Sequence, residues 1–148
     1  MKLAMTSRRL VILDDHVPLA KMVEFCAQVW GWNAVWFGEV KAALEYFDEE
    51  IRIDAFLCDL QMPLLDGIQT LAYLRAAGWH GPAAIMTGKP HLVDVAAQEQ
   101  YGITAILPKP FGTAELFETL DGLANLACAM SRLIAVPSNR NISLPDLS

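Results

Sequence analysis

The chain has 148 residues, 54% of them apolar, and a mean hydropathy of +0.32, enough to close one packed domain without disulfide staples. It contains no uninterrupted run of about 18 apolar residues, which excludes a spanning helix; its basic start, Met1 to Arg9, leads into an apolar run that Asp14 and Asp15 cut too short for a signal peptide. A net charge of −6 has the wrong sign for a nucleic-acid binder, and Cys26, Cys58 and Cys128, odd in number and without metal-ligand spacing, fit a reduced, cytoplasmic protein.

Strand and helix signals then alternate along the chain. Arg9 to Leu13 is a short β-prone run that stops at Asp14-Asp15. From Pro18 to Trp30, apolar residues at Leu19, Met22, Val23, Cys26 and Val29 follow helical spacing, and Gly31 ends the helix. Asn33 to Phe37 reads as a second strand, followed by an amphipathic helix over Lys41 to Glu49. Ala55 to Cys58 is a third strand ending at Asp59, with a helix from Gly67 to Ala77 closed by Gly78. Ala83 to Met86 is a fourth, with a helix from Leu92 to Tyr101 closed by Gly102. Thr104 to Leu107 is the last, and Thr113 is expected to cap a final helix reaching about Met130.

Five strands alternating with five helices predict an α/β fold, a parallel sheet covered by helices on both faces. The strands are continuous apolar runs, as a sheet buried on both sides requires. Such open sheets place their chemistry at the carboxyl ends of the strands. Those ends carry Asp14, Asp15, Asp59, Thr87 and Lys109. Carboxylates held that close repel unless something neutralises them, and Mg²⁺, with its preference for oxygen ligands and phosphate, is the natural partner. A carboxylate beside that cation can attack a phosphoryl donor and form an aspartyl phosphate. The Thr87 hydroxyl and the Gly88 N–H are placed to bind the phosphoryl oxygens.

Leu13-Asp14-Asp15, the segment Cys58 to Gly67, Met86-Thr87-Gly88 and Leu107 to Phe111 together resemble the receiver domain of bacterial two-component response regulators, over about residues 8 to 130. The resemblance implies a flavodoxin-like, doubly wound five-stranded sheet in the order 2-1-3-4-5. It implies Asp59 as phosphoacceptor, Asp15 as direct Mg²⁺ ligand, Asp14 acting through water, and the backbone carbonyl of Gln61 as the third protein ligand. Thr87 matches the switch hydroxyl, Lys109 the residue paired with the phosphoryl group, and Lys109-Pro110 the family's usual cis peptide. Pro63 and Gly67 match the loop beyond the acceptor. Gln61 and Lys89 stand at the two positions that tune the phosphate's lifetime in the family. Ile106 departs from the pattern, since the family usually has Tyr or Phe there, and isoleucine offers no ring flip and no hydroxyl.

The remaining signals have plainer readings. Asp66 reads as a turn or cap residue before Gly67, and His16 as an exposed loop residue, because a hard Mg²⁺ site disfavours imidazole; His80 and His91 fall at loop or helix-start positions and take no role. Cys58, adjacent to Asp59 on a strand, should point into the core on the opposite face. No tryptophan neighbours Asp59 in sequence, so tryptophan fluorescence is not expected to report on the cation. Leu116, Leu120, Leu123, Ala124 and Ala127 should face the sheet; Leu126, Met130, Leu133, Ile134 and Val136 add apolar surface for a homodimer, a partner, or the chain's own tail.

The expectation is therefore a receiver domain over residues 8–131 and a partly flexible tail over 132–148. It would be a signalling protein rather than an enzyme, phosphorylated on Asp59 by a histidine kinase or a histidine phosphotransfer protein, with output through protein binding and no nucleic-acid or membrane contact. A receiver fragment of a longer transcriptional regulator and a constitutive binding module are the alternatives. A haloacid-dehalogenase-like phosphatase would need Asp where Gln61 stands, and a dinucleotide-binding domain would need a glycine fingerprint after the first strand.

Overall fold

The structure is a computed structural model that describes residues 8–49 and 52–133. In chain order the elements are β1 (Arg9–Leu13), α1 (Val17–Val29), β2 (Asn33–Phe37), α2 (Val40–Glu49), β3 (Ala55–Asp59), α3 (Gly67–Ala76), β4 (Ala83–Thr87), a single 3₁₀ turn (Pro90–Leu92), α4 (Val95–Tyr101), β5 (Ile103–Pro108) and α5 (Thr113–Leu133). All strand pairs are parallel, and the sheet order is β2-β1-β3-β4-β5. This is the doubly wound, flavodoxin-like arrangement, with the order reversing between β1 and β3.

The period-2 alternation of the strands divides the core in two. Val11, Leu13, Phe56 and Ile85 join Leu44, Phe47, Leu71 and Leu74 on the face covered by α2 and α3. Leu10, Ile12, Leu57 and Met86 join Val23, Leu116, Leu120 and Leu123 on the face covered by α1 and α5. β3 and β4 are buried at every position, as central strands must be when both faces carry helices.

Helix ends follow local chemistry. Asp66 caps α3 in a reciprocal box: its carboxylate accepts from the Gln69 N–H at 2.7 Å, while the Gln69 side chain accepts from the Asp66 N–H at 2.9 Å. Gly102 closes α4 in the left-handed conformation, at φ 66°. Most boundaries fall within one residue of expectation, and the fourth and last helices depart further. The fourth helix starts at Val95 rather than Leu92, because Asp94 accepts the Ala97 N–H at 2.7 Å and sets the first turn there. The last helix begins at Thr113, but the capping position is Gly112: its carbonyl accepts from the Leu116 N–H, and its own N–H is taken by the Glu115 carboxylate. That helix runs three residues past Met130, to Leu133. Leu116, Leu120, Leu123 and Ala127 are buried and Ala124 partly so, whereas Leu126 is 40% exposed. Ile134, Val136 and the rest of the expected tail from 134 onward lie outside the described residues.

Candidate functional site

The switch point between β1 and β3 opens at the carboxyl edge of the sheet, and the acidic residues meet there. Asp14 leaves β1 with its N–H donated to the Phe37 carbonyl at 3.1 Å, which extends the β1–β2 ladder by one step. Its side chain is fully buried, and one carboxylate oxygen accepts the His16 N–H at 2.9 Å. Asp15 follows and is exposed; Asp59, the last residue of β3, is 7% exposed. One carboxylate oxygen from each of Asp14, Asp15 and Asp59 lies within 4.8 Å of the others.

Lys109 reaches this cluster from beyond β5. Its N–H donates to the Thr87 carbonyl at 2.8 Å, and its Nζ lies 3.1 Å from Asp59 Oδ1 and 3.3 Å from Asp14 Oδ2. The peptide between Lys109 and Pro110 is cis. One ammonium thus faces three carboxylates, an incomplete neutralisation. Burial pushes the Asp59 carboxyl above its ordinary range; the bonded Lys109 opposes that shift, and Asp14 and Asp15 add to it.

Thr87 ends β4, the strand beside β3, and is 1% exposed. Its Oγ1 accepts the Lys89 N–H at 2.9 Å. Lys89 itself is exposed, as are Gly88 and Gln61; the last lies in the loop after β3. The sheet therefore gathers Asp14, Asp15 and Asp59 into one cluster, with Lys109 paired to Asp14 and Asp59, and places Thr87 at the neighbouring strand end. Behind the acceptor, Leu60 N–H donates to Met86 and Gly67 N–H donates to Leu60, at 2.9 and 2.8 Å. A Cβ on Gly67 would stand 2.7 Å from the Asp59 carbonyl oxygen, so only glycine lets α3 start this close to the acceptor.

Cys58 is buried in the core under α2 and α3, and burial pushes its thiol well above the usual range. His16, His80 and His91 are exposed. One neighbour of the site was not anticipated: Trp36, in β2, donates its indole N–H to the Asp14 carbonyl at 2.8 Å.

The donor set suits a hard divalent cation, since it offers clustered carboxylate oxygens and neither thiolate nor imidazole. A parallel α/β sheet with an acidic cluster and a lysine at its carboxyl edge is the arrangement that the receiver resemblance implies. Residues 10–121 match the model of the response regulator receiver domain, and the chain belongs to that family.

The curated relatives and solved structures agree. The chain is 24% identical over 140 residues to the transcriptional regulatory protein TrcR of Mycobacterium tuberculosis, covering 95% of this chain and 52% of that one. It is 31% identical over 109 residues to the DNA-binding response regulator MtrA of Mycobacterium leprae, covering 74% and 48%. The chain spans about half the length of these curated relatives. The chemotaxis response regulator CheY4 of Vibrio cholerae has the same fold, with a TM-score of 0.72 at 23% identity, over 80% of this chain and 99% of that one. Receiver domains of this family bind Mg²⁺ at an acidic pocket, and the Asp14, Asp15 and Asp59 cluster forms such a pocket here. No helix among the described residues is long and apolar enough to cross a membrane.

Proposed function

We propose that this receiver takes a phosphoryl group on Asp59 from a histidine kinase or a histidine phosphotransfer protein in the cytoplasm, and acts by phosphorylation-dependent protein binding. The observation that carries the reading is the Lys109 ammonium bridging Asp59 and Asp14 at 3.1 and 3.3 Å, beside an acidic cluster it only partly neutralises.

In the transfer, a carboxylate oxygen of Asp59 attacks phosphorus. The bond from phosphorus to the donor imidazole nitrogen breaks, and its electron pair leaves with that imidazole. An acyl phosphate remains on Asp59. Asp15, Asp59, the Gln61 carbonyl and, through water, Asp14 would hold Mg²⁺. When bound, that cation neutralises charge on the transferring phosphoryl oxygens and the carboxylates. Lys109 pairs with the phosphoryl group, and the Thr87 hydroxyl and Gly88 N–H bind its remaining oxygens. Output then depends on the added charge shifting a two-state equilibrium of the α4–β5–α5 surface.

The test is an intact-mass spectrum after incubation with Mg²⁺ and acetyl phosphate, alongside Asp59→Ala. A single phosphoryl adduct that needs both Asp59 and Mg²⁺ is expected. No adduct from acetyl phosphate or from a panel of phosphorylated histidine kinases would refute the reading. The coverage of about half of the transcriptional regulatory protein TrcR and of the DNA-binding response regulator MtrA favours a second reading, in which this receiver controls an attached output domain. The size of the native product on an immunoblot distinguishes the two.

A further inference from the structure

The Asp14–Asp15 peptide is gripped by the strand beside it. The Asp14 N–H donates to the Phe37 carbonyl at 3.1 Å, and the Asp14 carbonyl accepts the Trp36 indole N–H at 2.8 Å. Adjacent residues of one strand thus hold both ends of the Asp14 backbone. The second contact has the larger consequence, because the Asp14 carbonyl lies in the peptide plane that launches Asp15. Asp14 is fixed in other ways as well, through its full burial, the His16 N–H and Lys109. Asp15 is exposed, and no described residue is bonded to its carboxylate. Its direction follows from the backbone that launches it, and the indole holds that backbone at the Asp14 carbonyl.

The indole is itself anchored. Trp36 pairs with Ile12 across the sheet and packs against the core under α1 and α5. Gly38 closes over it: a Cβ at that position would stand 3.5 Å from Trp36 Cζ2 and 4.0 Å from the Asp14 carbonyl oxygen.

We propose that Trp36 is a positioning residue for the cation site: its indole N–H orients the Asp14–Asp15 peptide so that the free Asp15 carboxylate meets that of Asp59. The proposal rests on the Mg²⁺ site of the receiver reading and deepens it. Residues that orient metal ligands without touching the metal typically change affinity by about 10- to 100-fold when lost. Trp36 acts through a single hydrogen bond on a backbone, so the lower end, roughly tenfold, is the expected size. The same contact makes Trp36 the tryptophan whose emission reports cation binding, although it lies 23 positions before Asp59 in sequence.

MgCl₂ is titrated into the metal-free wild type and Trp36→Phe, followed by calorimetry and by tryptophan emission, with thermal unfolding of both in EDTA. Phenylalanine keeps an aromatic ring on the core and removes the N–H. The expected result is a saturable emission change in the wild type that Trp36→Phe lacks, with a dissociation constant raised about tenfold. A lower melting temperature with unchanged Mg²⁺ affinity means the indole only packs, and overturns the proposal. If the variant does not fold, the indole N–H resonances of the wild type decide: the Trp36 signal must move on Mg²⁺ addition more than those of Trp30, Trp32 and Trp79, and a static Trp36 signal overturns the proposal. Wild type that takes up no Mg²⁺ and forms no acetyl phosphate adduct overturns the receiver reading as well. Equal binding by both proteins overturns this inference alone.

Discussion

Removing the charge of Asp59 should stabilise the cation-free protein. The carboxylates of Asp14 and Asp15 offer oxygens within 4.8 Å of an Asp59 oxygen, and at an effective dielectric constant near 20 each such pair repels by about 3.5 kcal/mol. The Lys109 ammonium at 3.1 Å returns about 5 kcal/mol on the same scale, so the two repulsions win by roughly 1.5 kcal/mol. In a fully aqueous dielectric the margin shrinks to about 0.4 kcal/mol. The exposed position of Asp15 puts the real value between these, and burial of the ionised Asp59 adds to it in the same direction. Asp59→Asn is therefore expected to be more stable than wild type by about 0.5–1.5 kcal/mol at pH 7 in EDTA, a melting-temperature rise of roughly 2–6 °C. The pH dependence has a definite sign. The folded-state pKa of Asp59 is raised above its ordinary 3.8, so the wild type's relative stability is complete below that ordinary value and is lost as pH rises through the raised one. The advantage of the asparagine variant must accordingly fade in acid. On the proposed reading Mg²⁺ reverses the order, since a ligand at a hundredfold excess over its dissociation constant adds about 2.7 kcal/mol to a protein that binds it, and the variant would lack one of the proposed ligands. Thermal unfolding by circular dichroism at pH 7 and in mild acid, with EDTA and with Mg²⁺, reads all three effects. An asparagine variant less stable than wild type in EDTA at pH 7 would refute the reasoning, because it would show that the Lys109 bond outweighs the carboxylate repulsion and the burial together.

Leu64 lies in the left-handed region at φ 75° with its side chain 68% exposed. Leu64→Gly should relieve about 1–2 kcal/mol of backbone strain, set against roughly 0.5–1 kcal/mol of added chain entropy in the unfolded state. A net gain of about half to one kcal/mol by urea unfolding is expected, and a loss would mean that the leucine packs more tightly than its exposure implies. Gly67→Ala pushes a methyl to 2.7 Å from the Asp59 carbonyl oxygen. It should cost about 1–3 kcal/mol and slow adduct formation from acetyl phosphate as the acceptor shifts. Unchanged stability together with an unchanged rate would show that α3 can retreat freely.

Much of the fold was legible because the central strands are buried on both faces. Leu10 to Leu13, Phe56 to Cys58 and Ala84 to Met86 are continuous apolar runs for that reason, and a helix between each pair of runs forces parallel pairing. Asp14, Asp59 and Thr87 were legible because each directly follows or ends such a run, with Asp15 next to Asp14; Lys109 follows the partly buried edge strand β5 and was legible through its Leu107 to Phe111 segment. The start of α4 was not. Leu92 and Val95 are 51% and 67% exposed, so their apolar spacing carried no burial signal, and the Asp94 cap decided the boundary. Contacts distant in sequence were equally hidden. Trp36 and Asp14 meet only because β2 lies beside β1. Arg75 donates to the carbonyls of Trp79, Gly81, Tyr101 and Gly102, joining the end of α3 to the turn before β5 with no carboxylate partner among the described residues. Neither pairing has a sequence spacing that announces it.

A charge change at Asp59 would be felt first in α4. α4 has seven residues, none of them buried, far below the roughly 12–15 at which a helix holds itself in water. It depends on Asp94 at one end and on Gly102 and the Arg75 contacts at the other. The segment leading into it begins at Thr87, whose hydroxyl oxygen is occupied by the Lys89 N–H. A phosphoryl group on Asp59 would offer new acceptor oxygens beside Thr87. A hydroxyl that donates to them would carry with it the oxygen that accepts the Lys89 N–H, and so pull on the 3₁₀ turn that follows. Ile106, which pairs with Ile85 and packs against the core under α2 and α3, supplies no ring to rotate in response. On the proposed reading the response would pass along the backbone from Thr87 to α4, none of whose residues is buried to resist it.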